Sequence, residues 1–158
     1  MPKTILLTLA LLGSAFAQPT PDSQLTMDGQ KVKLTQVYAY ATEGFFDKSK
    51  DDTVVLLTDR AVPTAQVADT HALRKMAEDG KLSFVQETIN AAGQIVNYTI
   101  GHRAFKALPS GGSTEHVFEG KRAGANISGK VFMRSPGKFF GNTFDYTAAF
   151  TSPVQPKK

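Results

Sequence analysis

The chain predicts a mainly β fold, a single-domain antiparallel β-sandwich of about seven or eight strands with one short helix. Three observations lead there. Asp28-Gly29 sits between two short alternating segments, as in a two-residue hairpin. Thr53-Val-Val-Leu-Leu-Thr58 is the longest uninterrupted apolar run after the N-terminal segment, and acidic residues bound it, as for a strand buried on both faces. From Thr143 to Thr151 the chain alternates, with Phe144, Tyr146, Ala148 and Phe150 on one face and Asp145, Thr147 and Thr151 on the other. A distorted β-barrel is the alternative. With no tryptophan and no cysteine the immunoglobulin markers are missing, so the sandwich rests on strand number and turn spacing.

The first seventeen residues predict an address. Met1-Pro2-Lys3 is positive, Ile5 to Leu12 is almost wholly apolar, and Ala15-Phe16-Ala17 offers the small residues of a cleavage site. This is the pattern of a secretory signal peptide cut near Ala17, placing the mature chain in a periplasm or outside the cell. Lack of cysteine excludes disulfides, thiolate metal sites and a lipoprotein anchor, so stability must come from core burial. Residues 18–24, with two prolines, read as a disordered leader. Residues 25–151 read as the β-rich domain and 152–158 as a flexible, proline-punctuated tail.

The Asp-Gly turn sets Leu25 opposite Val32, with Met27 and Leu34 on the same face. Thr35 to Ala41 continues as a strand with Tyr38 and Tyr40 on one side and Val37, Ala39 and Ala41 on the other, so a bulge is expected near Thr35 and Gln36. Thr42 to Asp52 is a charged loop in which Phe45 and Phe46 are expected to tuck over the core edge. Past Pro63, residues 64–79 predict the helix, with Ala68, Leu73, Met76 and Ala77 in its apolar stripe and Gly80 ending it. Lys81–Ile89 and Gln94–Gly101 predict a second hairpin whose core face holds Val85, Ile89, Val96, Tyr98 and Ile100. A connector from His102 ends in the flexible tip Ser110-Gly-Gly-Ser113. Strands follow at Thr114–Glu119, Asn126–Arg134 and Thr143–Thr151.

Chemistry is sparse. His71, His102 and His116 fall on a helix start, a loop and a strand without metal-ligand spacing, so half-buried or surface histidines are expected and no metal site. Asp47, Ser49 and Asp51 have the spacing of half a calcium loop but lack its turn glycine and closing glutamate. No Gly-x-Ser-x-Gly elbow, nucleophilic cysteine or phosphate-cradling glycine loop is present, and the glycines read as turn residues. The expectation is a non-enzymatic protein without a cofactor, with a binding or structural role. A hydrolase with an unrecognised site is an alternative.

Charge is uneven along the chain. Gln18 to Gly101 holds eight cations against eleven carboxylates, whereas His102 to Lys138 holds seven against two. This basic stretch interleaves aromatics, and Lys121, Arg122, Lys130, Phe132, Arg134 and Lys138 are the expected contact for a polyanion. An anionic glycan, a lipid head group or another envelope protein would be the partner. In a barrel, Tyr38, Tyr40, Tyr98, Phe144 and Tyr146 would instead line an apolar cavity for a small ligand.

Overall fold

The computed structural model describes residues 17–157, so the expected signal segment lies outside it apart from Ala17. The elements in chain order are β1 (Gln18–Pro19), β2 (Gln24–Met27), β3 (Gln30–Lys33), β4 (Gln36–Glu43), β5 (Asp51–Thr58), a 3-10 turn (Thr64–Gln66), α1 (Thr70–Glu78), β6 (Phe84–Ile89), β7 (Ile95–Gly101), β8 (Ser110–Gly111), β9 (His116–Ala123), β10 (Asn126–Met133), β11 (Gly137–Phe139) and β12 (Asn142–Gln155). The protein is mainly β and sandwich-like, and its twelve strands do not close into a barrel. The strand count exceeds the expected one partly because β1, β8 and β11 are pairings of two or three residues.

One sheet runs β3-β2-β12-β10-β9, with β1 and β11 also on β12; the other runs β4-β5-β6-β7-β8. The long strand β12 joins them. It pairs antiparallel with β10 and β2, then its end, Val154–Gln155, pairs in parallel with Ala39–Tyr40 of β4. A fourteen-residue strand can serve both sheets because its inward positions stay buried along its length, all but Ser152 apolar or aromatic: Phe144, Tyr146, Ala148, Phe150 and Val154.

Local chemistry explains most elements. Asp28 and Gly29 both have positive φ, 47° and 79°, as the tight hairpin requires, and Leu25 pairs with Val32. Asp28 then ties this hairpin to β12, accepting from Thr143 N–H at 2.8 Å and from the Asn142 amide at 2.8 Å. In β5, residues 52–58 are all buried, as the apolar run predicts. Val55 and Leu57 face the other sheet beside Ala39 and Val37, while the β5–β6 connection lies on the far side, where Val62 N–H donates to Tyr38 Oη at 3.0 Å. Asp69 caps α1 by accepting from His71 and Ala72 N–H, Leu73 and Ala77 are its buried residues, and Gly80 follows at φ 70°. The helix is shorter than expected because Thr64–Gln66 forms a separate 3-10 turn.

Several expectations change. The switch of face near Thr35 is not a bulge: the chain leaves one sheet for the other there, with Leu34 N–H on Ser23 O and Thr35 N–H on Thr58 O. The bulge sits instead in the second hairpin, between Thr88 and Ile89, so Ile95 packs against the core and Val96 does not. Residues 18–24 are not a disordered leader, since Gln18 and Pro19 pair with β12 and Ser23 is buried. The tail is likewise structured to Gln155, with Val154 buried. The Ser110-Gly111 tip is held as β8 against Tyr98 and Thr99. Phe45 and Phe46 do not plug the core; they stand 59% and 76% exposed.

Candidate functional site: a cleft at one pole of the sandwich

The strand directions gather one set of connections at one pole: the β4–β5 loop 44–50, the β6–β7 turn 90–94, the β9–β10 turn 124–125 and the chain beyond Gln155. Between the ends of the two sheets lies a cleft of about 520 Å³. Ile89, Phe118 and Ile127 give it an apolar floor, Asn90 to Gly93 one wall, and Asp51, Lys121 and Arg122 its charged rim.

Two glycines account for the open space. Gly120 and Gly129 are cross-strand partners on the inner face of β9 and β10. A Cβ at Gly120 would lie 2.6 Å from Phe118 Cζ, and one at Gly129 would lie 2.8 Å from Phe118 Cε2. The ring therefore lies over bare backbone and stacks toward Phe150, their centroids 6.4 Å apart. Larger side chains at either position would fill the gap between the sheets. These glycines are strand residues, as is Gly101, not the turn residues expected; a glycine inside a strand marks such close approach.

Arg122 is placed by register. Its partner in β10 is the buried Ile127, so it faces inward, and its Nη1 donates to Thr53 Oγ1 of the opposite sheet at 3.1 Å. Among the described residues it makes no ion pair with a carboxylate, and neither does Lys121. Among the described residues the other cations of this pole are engaged: Lys48 with Glu43, Lys50 with Asp47 at 3.2 Å and Lys157 with Asp51 at 3.1 Å. A guanidinium carries five donors, and Thr53 occupies one of them. The remaining donors suit a carboxylate, phosphate or sulfate.

The six residues of the basic stretch do not form one surface. Lys121 and Arg122 are at the cleft. Lys130 and Phe132 lie on the outer face of β10, with the Lys130 ammonium 5.1 Å from the Phe132 ring centre. Arg134, whose Nε donates to Thr114 O at 3.3 Å, and Lys138 in β11 belong to the opposite pole. The five aromatics considered for a cavity are also divided. Tyr38 and Tyr40 are on the outer face of β4, where Tyr40 Oη accepts from the Gln86 amide at 3.1 Å. Phe144 packs against Phe105, while the half-buried Tyr98 and the buried Tyr146 each contact His116.

That interior holds a polar cluster between the sheets. Glu87 of β6, 0% exposed, accepts from Tyr146 Oη of β12, and His116 Nδ1 of β9 lies 2.8 Å from Tyr146 Oη and 3.3 Å from Glu87 Oε1. Tyr98 of β7 stacks on His116 with centroids 3.7 Å apart. Glu87 Oε2 has no protein partner. The distance to His116 would permit an ion pair, but burial pushes the Glu87 carboxyl above its ordinary value of 4.5, against hydrogen bonds from His116 and Tyr146 that favour the charged form. We take the neutral carboxyl to prevail, because full burial removes the solvation a carboxylate needs. Burial first and Glu87 second also push the Tyr98 and Tyr146 hydroxyls up. His116 is thus a buried partner, not the half-buried or surface histidine expected. The sequence held one signal: Glu87 shares the parity of Val85 and Ile89, both core residues. None of the cluster lines the cleft. Comparison of the chain with protein-family models, curated proteins and solved structures gives no match.

Proposed function

We propose that this is an exported binding protein whose polar-end cleft takes the anionic group of a ligand with an apolar body. The observation that carries the reading is Arg122, anchored on Thr53 above an apolar floor, with no carboxylate within ion-pair distance among the described residues, since Asp51 on the same rim pairs with Lys157. Lys121 adds a second cation at the rim, so the ligand's charge is met by the guanidinium fork and an ammonium while its body rests on Ile89, Phe118 and Ile127. Binding without catalysis suits the cleft, because its one lining carboxylate among the described residues, Asp51, is paired with Lys157, and the Glu87, His116 and Tyr146 cluster is sealed between the sheets away from it. The N-terminal signal pattern supports export. The basic contact is thereby narrowed to Lys121 and Arg122.

Thermal melting of the protein with a heparin fragment and with a short-chain glycerophosphate tests this. A ligand at about a hundred times its dissociation constant adds roughly 2.7 kcal/mol to the folded state, a shift of several degrees. The shift should vanish in Arg122→Ala, persist in Lys130→Ala, and shrink with salt. Equal shifts in Arg122→Ala and the parent would remove the cleft from consideration.

A further inference from the structure

The cleft shares its pole with the most exposed aromatic pair of the described residues. Phe45 and Phe46 stand 59% and 76% exposed, packed edge to face with centroids 4.9 Å apart. Their loop returns directly into the cleft, since its base is the Glu43–Asp51 pair of β4 and β5 and Asp51 lines the rim.

The loop is built to hold these rings in water. Gly44 is buried, and a Cβ there would overlap the carbonyl oxygens of Asp47 and Lys50, so only glycine lets the chain fold back so tightly. Phe45 N–H donates to Oδ2 of the buried Asp52 at 2.8 Å. Asp47 Oδ1 accepts from Ser49 N–H at 3.0 Å and from Ser49 Oγ at 2.6 Å, and Lys50 N–H closes the turn on Asp47 O at 3.1 Å. An apolar ridge fixed in this way is organised for something that takes it out of water.

We infer that this pole docks on an anionic lipid bilayer, with Phe45 and Phe46 entering the interface and the cleft receiving a lipid phosphate at Arg122 and Lys121. The inference rests on the cleft reading above and names its ligand class. Two points favour a bilayer over a protein. A protein partner needs about 800 Å² of matched surface, far beyond a two-residue ridge, whereas a bilayer accepts aromatic side chains without shape matching. The pole also carries excess positive charge: Lys48, Lys50 and Lys157 balance Glu43, Asp47 and Asp51 in exposed pairs, and Lys121 and Arg122, unpaired among the described residues, are left to meet lipid phosphates. Phe140, 75% exposed at the opposite pole, is a built-in control.

The test is sedimentation with vesicles of phosphatidylcholine alone and of an equimolar mixture with phosphatidylglycerol, beside melting with soluble glycerophosphate. The parent should bind the mixed vesicles only. Phe45→Ser/Phe46→Ser should weaken vesicle binding by about tenfold or more yet keep the glycerophosphate shift, Arg122→Ala should lose both, and Phe140→Ser neither. Should the double variant lose its cooperative melt, Phe46→Ser alone serves, its side chain being the more exposed. Unchanged vesicle binding in the serine variants, or none by the parent, overturns the bilayer inference and turns the ridge toward a protein partner, leaving the cleft reading to stand on the glycerophosphate result. Loss of vesicle binding in the serine variants with glycerophosphate shifts that ignore Arg122 keeps the membrane ridge and overturns the phosphate site.

Discussion

Replacing Glu87 by glutamine should change how stability depends on pH, in a direction the structure fixes. The variant keeps the side chain's size and the oxygen that accepts from Tyr146 and His116, but puts an amide where Oε2 has no partner. At acid pH both proteins place a donor on that unpartnered side, the carboxyl O–H in the parent and the amide N–H in the variant, so their stabilities there are similar. In the unfolded chain the carboxyl ionises around 4.5, whereas burial holds the folded one protonated to higher pH. Between those two points the folded state binds the extra proton, so the parent loses stability as pH rises, at a limiting slope of about 1.4 kcal/mol per pH unit. Glutamine has nothing to titrate there. The parent therefore loses stability relative to the variant above 4.5, and the difference levels off once the folded carboxyl ionises as well. Tyr98, His116 and Tyr146 face the same site and are unchanged by the substitution, so the difference between the two proteins reports the ionisation of Glu87 in that site. Urea unfolding followed by far-ultraviolet circular dichroism between about pH 4 and 8 measures it. A difference independent of pH would show that burial does not shift Glu87. A parent that gains on the variant as pH rises would show an anionic Glu87 paired with a charged His116, and would refute the reasoning. Tyr146→Phe removes a donor that favours the charged form, and should extend the falling limb to higher pH.

Gly101→Ala should lower stability by about 1–3 kcal/mol, several degrees of melting temperature, because its Cβ would overlap the ring of Phe84, which is itself 1% exposed; a melting temperature equal to the parent's would show that the ring has room to turn. Asp52→Ala leaves Phe45 N–H without its acceptor, so the Phe45 amide should lose hydrogen-exchange protection while the β5 core amides keep theirs. Retained protection at Phe45 would mean that the loop is held without Asp52.

Much of the scaffold was legible locally. The Asp28-Gly29 turn, the buried run of β5, the end of α1 at Gly80 and the alternation of β12 follow from backbone geometry and apolar period, which act over a few residues. The candidate site was legible only in fragments. Lys121 and Arg122 stood out as cations, yet adjacent residues in a strand point to opposite faces, and only the pairing of Arg122 with Ile127 turned it inward toward Thr53. Gly120 and Gly129 passed as turn residues because their strand pairing decides their meaning. Phe45 and Phe46 were expected inside on hydrophobicity alone, which Gly44 and Asp52 overrule by fixing the loop outward.

What the sequence by itself determined, then, is period, parity and turn chemistry: which stretches become strands and which residues share a face. The tertiary structure decided what each face meets. Glu87 finds Tyr146 fifty-nine residues away, and Arg122 reaches Thr53 across sixty-nine, because β12 crosses from one sheet to the other and closes the sandwich around them. Parity fixes a side chain's direction, but no short-range rule names the strand that will lie opposite it.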